Sequence, residues 1–111
     1  MKGENIGELE ELVLLTVGSL EAEAYAVLIL EEIRTHAKRK MDVTAIHSVL
    51  RRLEKKGLVS SEMGGASKER GGRRKRFFTL TRAGRRVLDE TMELRSMLYQ
   101  RLPKLSFSIQ R

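Results

Sequence analysis

AIHSVLRRLEKKGLVSSEM (45–63) runs into GGASKERGG (64–72) and then RRKRFFTLT (73–81), and along this succession the hydrophobic period changes once. Ile46, Val49, Leu50 and Leu53 recur at three- and four-residue intervals, the stripe that one side of an α-helix buries. Asp42 stands where an N-cap carboxylate accepts a free first-turn N–H, and Gly57 where a left-handed residue ends the helix after Lys56. With successive side chains turned by about 100°, the opposite face carries Thr44, Ser48, Arg51 and Lys55, flanked by His47 and Arg52. Beyond Gly57 the period falls to two. LVSSEM (58–63) and RRKRFFTLT (73–81) are strand-like runs about a glycine-rich, charged tip, a β-hairpin with Phe78 and Leu80 on one side of its second strand and Phe77 and Thr79 on the other. The tip is too long for a two-residue turn and predicts an exposed loop.

Upstream, Leu9, Leu12, Val13, Val17 and Leu20 place one apolar face on a helix from Glu8 to Leu20, with Leu14 and Leu15 spreading onto its flanks. A second helix is expected over Ala24 to Ala37, with Tyr25, Leu28, Ile29 and Ile33 inward and a basic exit at Lys38, Arg39 and Lys40. Downstream, Thr81 caps a fourth helix from Arg82 to Leu102, stopped by Pro103. Its apolar residues, among them Val87, Leu88, Leu94, Leu98 and Leu102, cover more of the circumference than a small core can accept from one side. A second copy of the chain, meeting it through Leu9, Leu12 and Val13 of the first helix and Leu94, Leu98 and Leu102 of the fourth, is the simplest cover. Helix, helix, helix, strand, hairpin tip, strand, helix is the order of a winged helix-turn-helix. The fold class expected is therefore α+β, mainly helical, in one domain over 1–111. Residues 8–81 form its winged part, 82–102 a C-terminal dimerisation helix and 103–111 an unplaced tail.

Charge gives this order a function. The 111-residue chain carries +7. Residues 1–43 hold five basic and nine acidic side chains, a net −4, whereas 44–86 hold thirteen and three, a net +10, and 87–111 hold four and three. A basic run alone marks only a solvated face. Here it is divided between the third helix (Thr44, His47, Ser48, Arg51, Arg52, Lys55) and the hairpin (Lys68, Arg70, Arg73, Arg74, Lys75). In a winged helix those two elements bracket one duplex, the helix in the major groove and the hairpin against the flanking backbone or minor groove. The partner expected is double-stranded DNA with a palindromic operator, read by a homodimer. A module binding RNA or another protein is the alternative, because basic charge alone does not choose between nucleic acids.

Other chemistry finds little support. With no cysteine, the chain has neither thiolate metal ligands nor a cysteine nucleophile, and His36 has no companion at ligand spacing, so no metal, cofactor or catalytic residue is expected. The glycines of 64–72 match neither a P-loop nor a dinucleotide fingerprint, and they precede a basic strand rather than a helix. No apolar run is long enough for a membrane span and the N-terminal MKGENIGELEE is acidic, so a cytoplasmic protein is expected.

ELEELVLLTV (8–17), AYAVLILEEI (24–33), AIHSVLRRLEKKGLVSSEM (45–63) and GGRRKRFFTLTRAGRRVL (71–88) together resemble the PadR-like transcriptional regulators, in the right order over Glu8 to Leu88. The resemblance implies a dimer built from the first and last helices, repression through operator binding and, as in many relatives, release by a small hydrophobic or aromatic effector. The short last helix is similar to the compact subclass. Two departures stand out: His47 replaces the tyrosine usual in the family, and Ala26 a frequent glycine.

Overall fold

The computed structural model describes residues 6–64 and 74–104. Helix α1 spans Glu8–Leu20 and passes through a single 3₁₀ turn at Glu21–Glu23 into α2, Ala26–His36. Helix α3 is Val43–Lys55, strands β1 (Val59–Met63) and β2 (Arg76–Leu80) form the hairpin, and α4 is Arg82–Gln100. This is the winged helix-turn-helix order with a C-terminal helix, as the periodicities predict.

Local chemistry sets the boundaries around α3. The Asp42 carboxylate accepts the Ala45 N–H at 3.1 Å, and Gly57, at φ +78°, turns the chain so that Leu58 N–H reaches the Leu53 carbonyl at 2.9 Å. β1 and β2 pair antiparallel with Val59 opposite Leu80 and Met63 opposite Arg76. One bond ties this wing to the segment before α2, and a second extends the strand pairing at the base of the hairpin. Phe78 N–H donates to the Ala24 carbonyl at 2.8 Å, and Thr81 N–H to the Leu58 carbonyl at 3.1 Å. The Thr81 hydroxyl donates to the Gly57 carbonyl at 2.6 Å and accepts from Gly84 N–H at 3.0 Å, capping α4 against the start of β1. Gly84 is buried there, and a Cβ at this position would overlap the Leu58 carbonyl oxygen.

The core lies where α1, α2 and α3 converge over the wing: Val13, Leu14, Val17, Ile29, Ile33, Ile46, Leu50 and Leu53 are all essentially solvent-free, and Phe78 closes them from β2. Two expectations are corrected. Leu14, expected on a flank of α1, is fully buried, because α1 presents Glu10, Val13, Leu14 and Val17 inward. Val13, expected at a dimer interface, is 0% exposed within its own chain and has no surface to offer a second copy. A helix apolar on so much of its circumference leaves several rotations open, and packing against α2 and α3 selects among them. Helix α2 also begins two residues later than expected, with Tyr25 as its N-cap residue and only half-buried.

Candidate nucleic-acid interface

The outer face of α3 keeps the composition that its periodicity gave it. Thr44, His47, Ser48, Arg51 and Lys55 are all exposed, opposite the buried stripe of Ile46, Val49, Leu50 and Leu53. Among the described residues, neither Arg51 nor Lys55 is held in an ion pair. Both guanidinium and ammonium are therefore available to an incoming anion. Thr44 and Ser48 occupy the first turns of the helix, where short polar side chains reach base edges or phosphate.

The root of the wing adds charge beside this face. Arg74, Lys75 and Arg76 are exposed at the start of β2; Lys68, Arg70 and Arg73 of the expected set lie outside the described residues. Lys75 places its Nζ 4.5 Å from the centroid of the Tyr25 ring, and Tyr25 meets Phe77 edge-on with centroids 5.7 Å apart. This stack anchors β2 to the start of α2. Arg76, absent from the expected set although it continues the run Arg73, Arg74, Lys75, donates to the Ser61 hydroxyl at 3.0 Å, and that hydroxyl donates to Glu54 at 2.9 Å. Between α2, α3 and β2 lies a cleft of about 430 Å³ that both Arg51 and Lys75 border.

Arg52 behaves differently from its neighbours. Its Nε donates to the Glu10 carboxylate on α1 at 3.1 Å, and Lys56 Nζ reaches the same carboxylate at 3.0 Å. Glu10 is 6% exposed. Burial alone would raise its pKa, but the Gly7 N–H bond at 2.9 Å and the two cations outweigh burial and hold the carboxyl below its ordinary value. Glu8 and Glu11, in the same turn of α1, hold Arg39 and Arg95 through paired hydrogen bonds, from the segment after α2 and from α4 respectively. The hydrogen bond from Arg39 keeps the Glu8 carboxyl low as well. One turn of α1 thus ties together α3, the segment after α2 and the C-terminal helix. Periodicity could not reveal these pairs, since their members stand 31 to 84 residues apart in the chain.

Helix α4 leaves the core after Met92. Leu94, Leu98 and Leu102 are 52, 49 and 60% exposed, and Met97 and Tyr99 are exposed beside them. On α1, Leu9 and Leu12 are half-buried and Leu15 lies open.

Three helices, a two-stranded wing and a basic helix face beside the wing root define a winged helix-turn-helix protein. Residues 13–90 match the model of the transcriptional regulator PadR-like family, and the chain belongs to that family. Solved structures share the fold. A PadR family transcription regulator from hypervirulent Clostridium difficile is 18% identical, with a TM-score of 0.70 over 85% of this chain and 93% of that one. A PadR-like transcriptional regulator from Bacillus cereus is 21% identical (TM-score 0.69; 83% and 84% covered). A PadR family transcriptional regulator from Eggerthella lenta is 27% identical (TM-score 0.62; 84% and 80% covered). No curated protein matches the chain. The family is one of transcriptional regulators, and no described helix is long and apolar enough to cross a membrane.

Proposed function

We propose that this protein is a dimeric repressor that binds a palindromic operator in double-stranded DNA, with α3 in the major groove and the wing on the flanking backbone. The observation that carries the reading is the exposed basic face of α3, on which Arg51 and Lys55 have no ion-pair partner among the described residues, set beside the basic root of β2. Arg51 and Lys55 lie where a recognition helix meets base edges, and Arg74 and Lys75 where a wing meets phosphates. Arg52 enters as a phosphate contact only if it leaves Glu10. Dimerisation rests on the row Leu94, Leu98 and Leu102, whose exposure is costly in a free monomer, with Leu9 and Leu12 of α1 alongside. A two-fold pair presents two recognition helices about 34 Å apart, the spacing of successive major grooves. An effector, in this reading, is a small hydrophobic or aromatic molecule that releases the operator.

Fluorescence anisotropy with duplex from the gene's own upstream region, against scrambled duplex over a salt series, tests it. A preference of about a thousandfold with a steep salt slope supports operator binding. Equal, salt-sensitive binding to both duplexes refutes it and turns attention to RNA and protein partners.

A further inference from the structure

Glu10 carries a charge that its place in the helix does not require. As the third residue of α1 it accepts the Gly7 N–H at 2.9 Å and closes the capping box, a task that a glutamine amide oxygen performs equally well. The residue is 6% exposed, and taking a charge out of water is costly unless it is paired. What the charge adds is a grip on two cations of the α3 end of the molecule, Arg52 through Nε at 3.1 Å and Lys56 through Nζ at 3.0 Å.

The two cations stand differently. Lys56 is 29% exposed, whereas Arg52 is 55% exposed and borders the open face of α3. Ser48 lies four residues before it and Lys55 three after, spacings that make side chains neighbours on a helix surface. Arg51, the preceding residue, is turned about 100° away; it lines the cleft beside Lys75 and holds no ion pair among the described residues. Of two adjacent arginines, one is open to an incoming anion and the other already has one. A DNA phosphate asks for the same N–H donors as a carboxylate. The exchange strands no charge, because Glu10 keeps the Gly7 N–H and Lys56 when Arg52 departs.

We infer that Glu10 is an internal competitor of DNA phosphate: it withholds Arg52 from the duplex and so lowers the affinity of the protein for DNA of any sequence. The inference rests on the proposed DNA-binding reading. Phosphate contacts carry no sequence information, so the contact withheld is one that operator and random duplex would share. Weaker sequence-blind binding leaves less of the protein held on the many competing sites of a genome.

A double-mutant cycle on Glu10 and Arg52 tests this in the full chain, by fluorescence anisotropy with upstream and scrambled duplex between about 50 and about 200 mM salt. Glu10→Gln should tighten both duplexes alike and steepen the logarithmic salt slope by about 0.9, the share of one phosphate, so that its gain is about 3.5-fold larger at the low end of the series than at the high end. A chain that was merely loosened would bind more weakly instead. In the Arg52→Gln background the same change at Glu10 should lose most of its gain, because no arginine remains to be released. An equal gain with and without Arg52 assigns the effect to net charge and overturns the inference, as does an unchanged or shallower slope in Glu10→Gln. A cost of Arg52→Gln that is greater in the wild-type chain than in Glu10→Gln also overturns it, since the carboxylate would then be presenting Arg52 to DNA. Should amide spectra show that Glu10→Gln does not fold, Glu10→Asp, which draws the charge back by one methylene, should give a smaller gain of the same sign, and no gain refutes the competition. Binding of neither duplex by any of these chains defeats the operator reading and this inference with it; duplex binding that is indifferent to Glu10 defeats this inference alone.

Discussion

Replacing Glu10 by glutamine removes one charge from the turn of α1 that joins α3 to the rest of the fold, and leaves nearly everything else in place. The amide oxygen can still accept the Gly7 N–H, now at 2.9 Å, so the helix start is preserved. What is lost is a carboxylate shared by Arg52 at 3.1 Å and Lys56 at 3.0 Å. A hydrogen bond to a charged group contributes roughly 1.5–3 kcal/mol when shielded from water. Arg52 is 55% exposed and rehydrates readily, so its share falls to the range of a surface pair, up to about 1 kcal/mol. Lys56, at 29% exposure, retains somewhat more. The sum is a destabilisation of about 2 kcal/mol, or roughly 9 °C in Tm for a chain of this length.

Urea and thermal unfolding at fixed protomer concentration measure it, since self-association of the proposed kind would make Tm depend on concentration. The pH dependence gives a second reading. Because the Glu10 carboxyl titrates below its ordinary value in the folded chain, its contribution is complete above the unfolded carboxyl's pKa, about 4.3, and is lost as pH falls through the folded value. The gap between wild type and Glu10→Gln should therefore be full at neutral pH and close in acid. A variant within about 0.3 kcal/mol of wild type at pH 7, or a gap that widens on acidification, would refute the reasoning.

Other substitutions probe the remaining parts. Arg51→Ala should reduce discrimination between operator and random duplex, whereas Arg74→Ala should weaken both and lower the salt slope by about one; identical effects in anisotropy contradict the division between helix and wing. Leu98→Asp should yield monomers with weak operator affinity in sedimentation, and an intact dimer removes α4 from the interface. Gly84→Ala gains about 1 kcal/mol of helix propensity but drives a Cβ into the Leu58 carbonyl, so a net loss of about 1–2 kcal/mol is expected from overpacking. A raised urea midpoint would show that α4 and β1 can separate without cost.

Much of this architecture is written locally. The stripe Ile46, Val49, Leu50, Leu53 and the caps at Asp42, Gly57 and Thr81 involve neighbours within one or two helical turns, so α3, the wing and the start of α4 are legible from spacing alone. The same periodicity places Arg51 and Lys55 outward, because the face opposite a buried stripe has nowhere else to go. It fails for α1, where an apolar surface wider than the core needs leaves the rotation open. Only packing turned Val13 and Leu14 inward and brought Glu10 beneath Arg52 and Lys56.

The cleft belongs to the same class of feature. Its lining joins Ala26, Leu50 and Phe78 with Arg51 from α3 and Lys75 from just before β2. Amino-acid order specifies each of these residues and the face it occupies within its own element. Which faces come to oppose one another is decided by the way three helices close over the hairpin, since the distances between residues remote in the chain are set by the packing of the whole core and by no local periodicity.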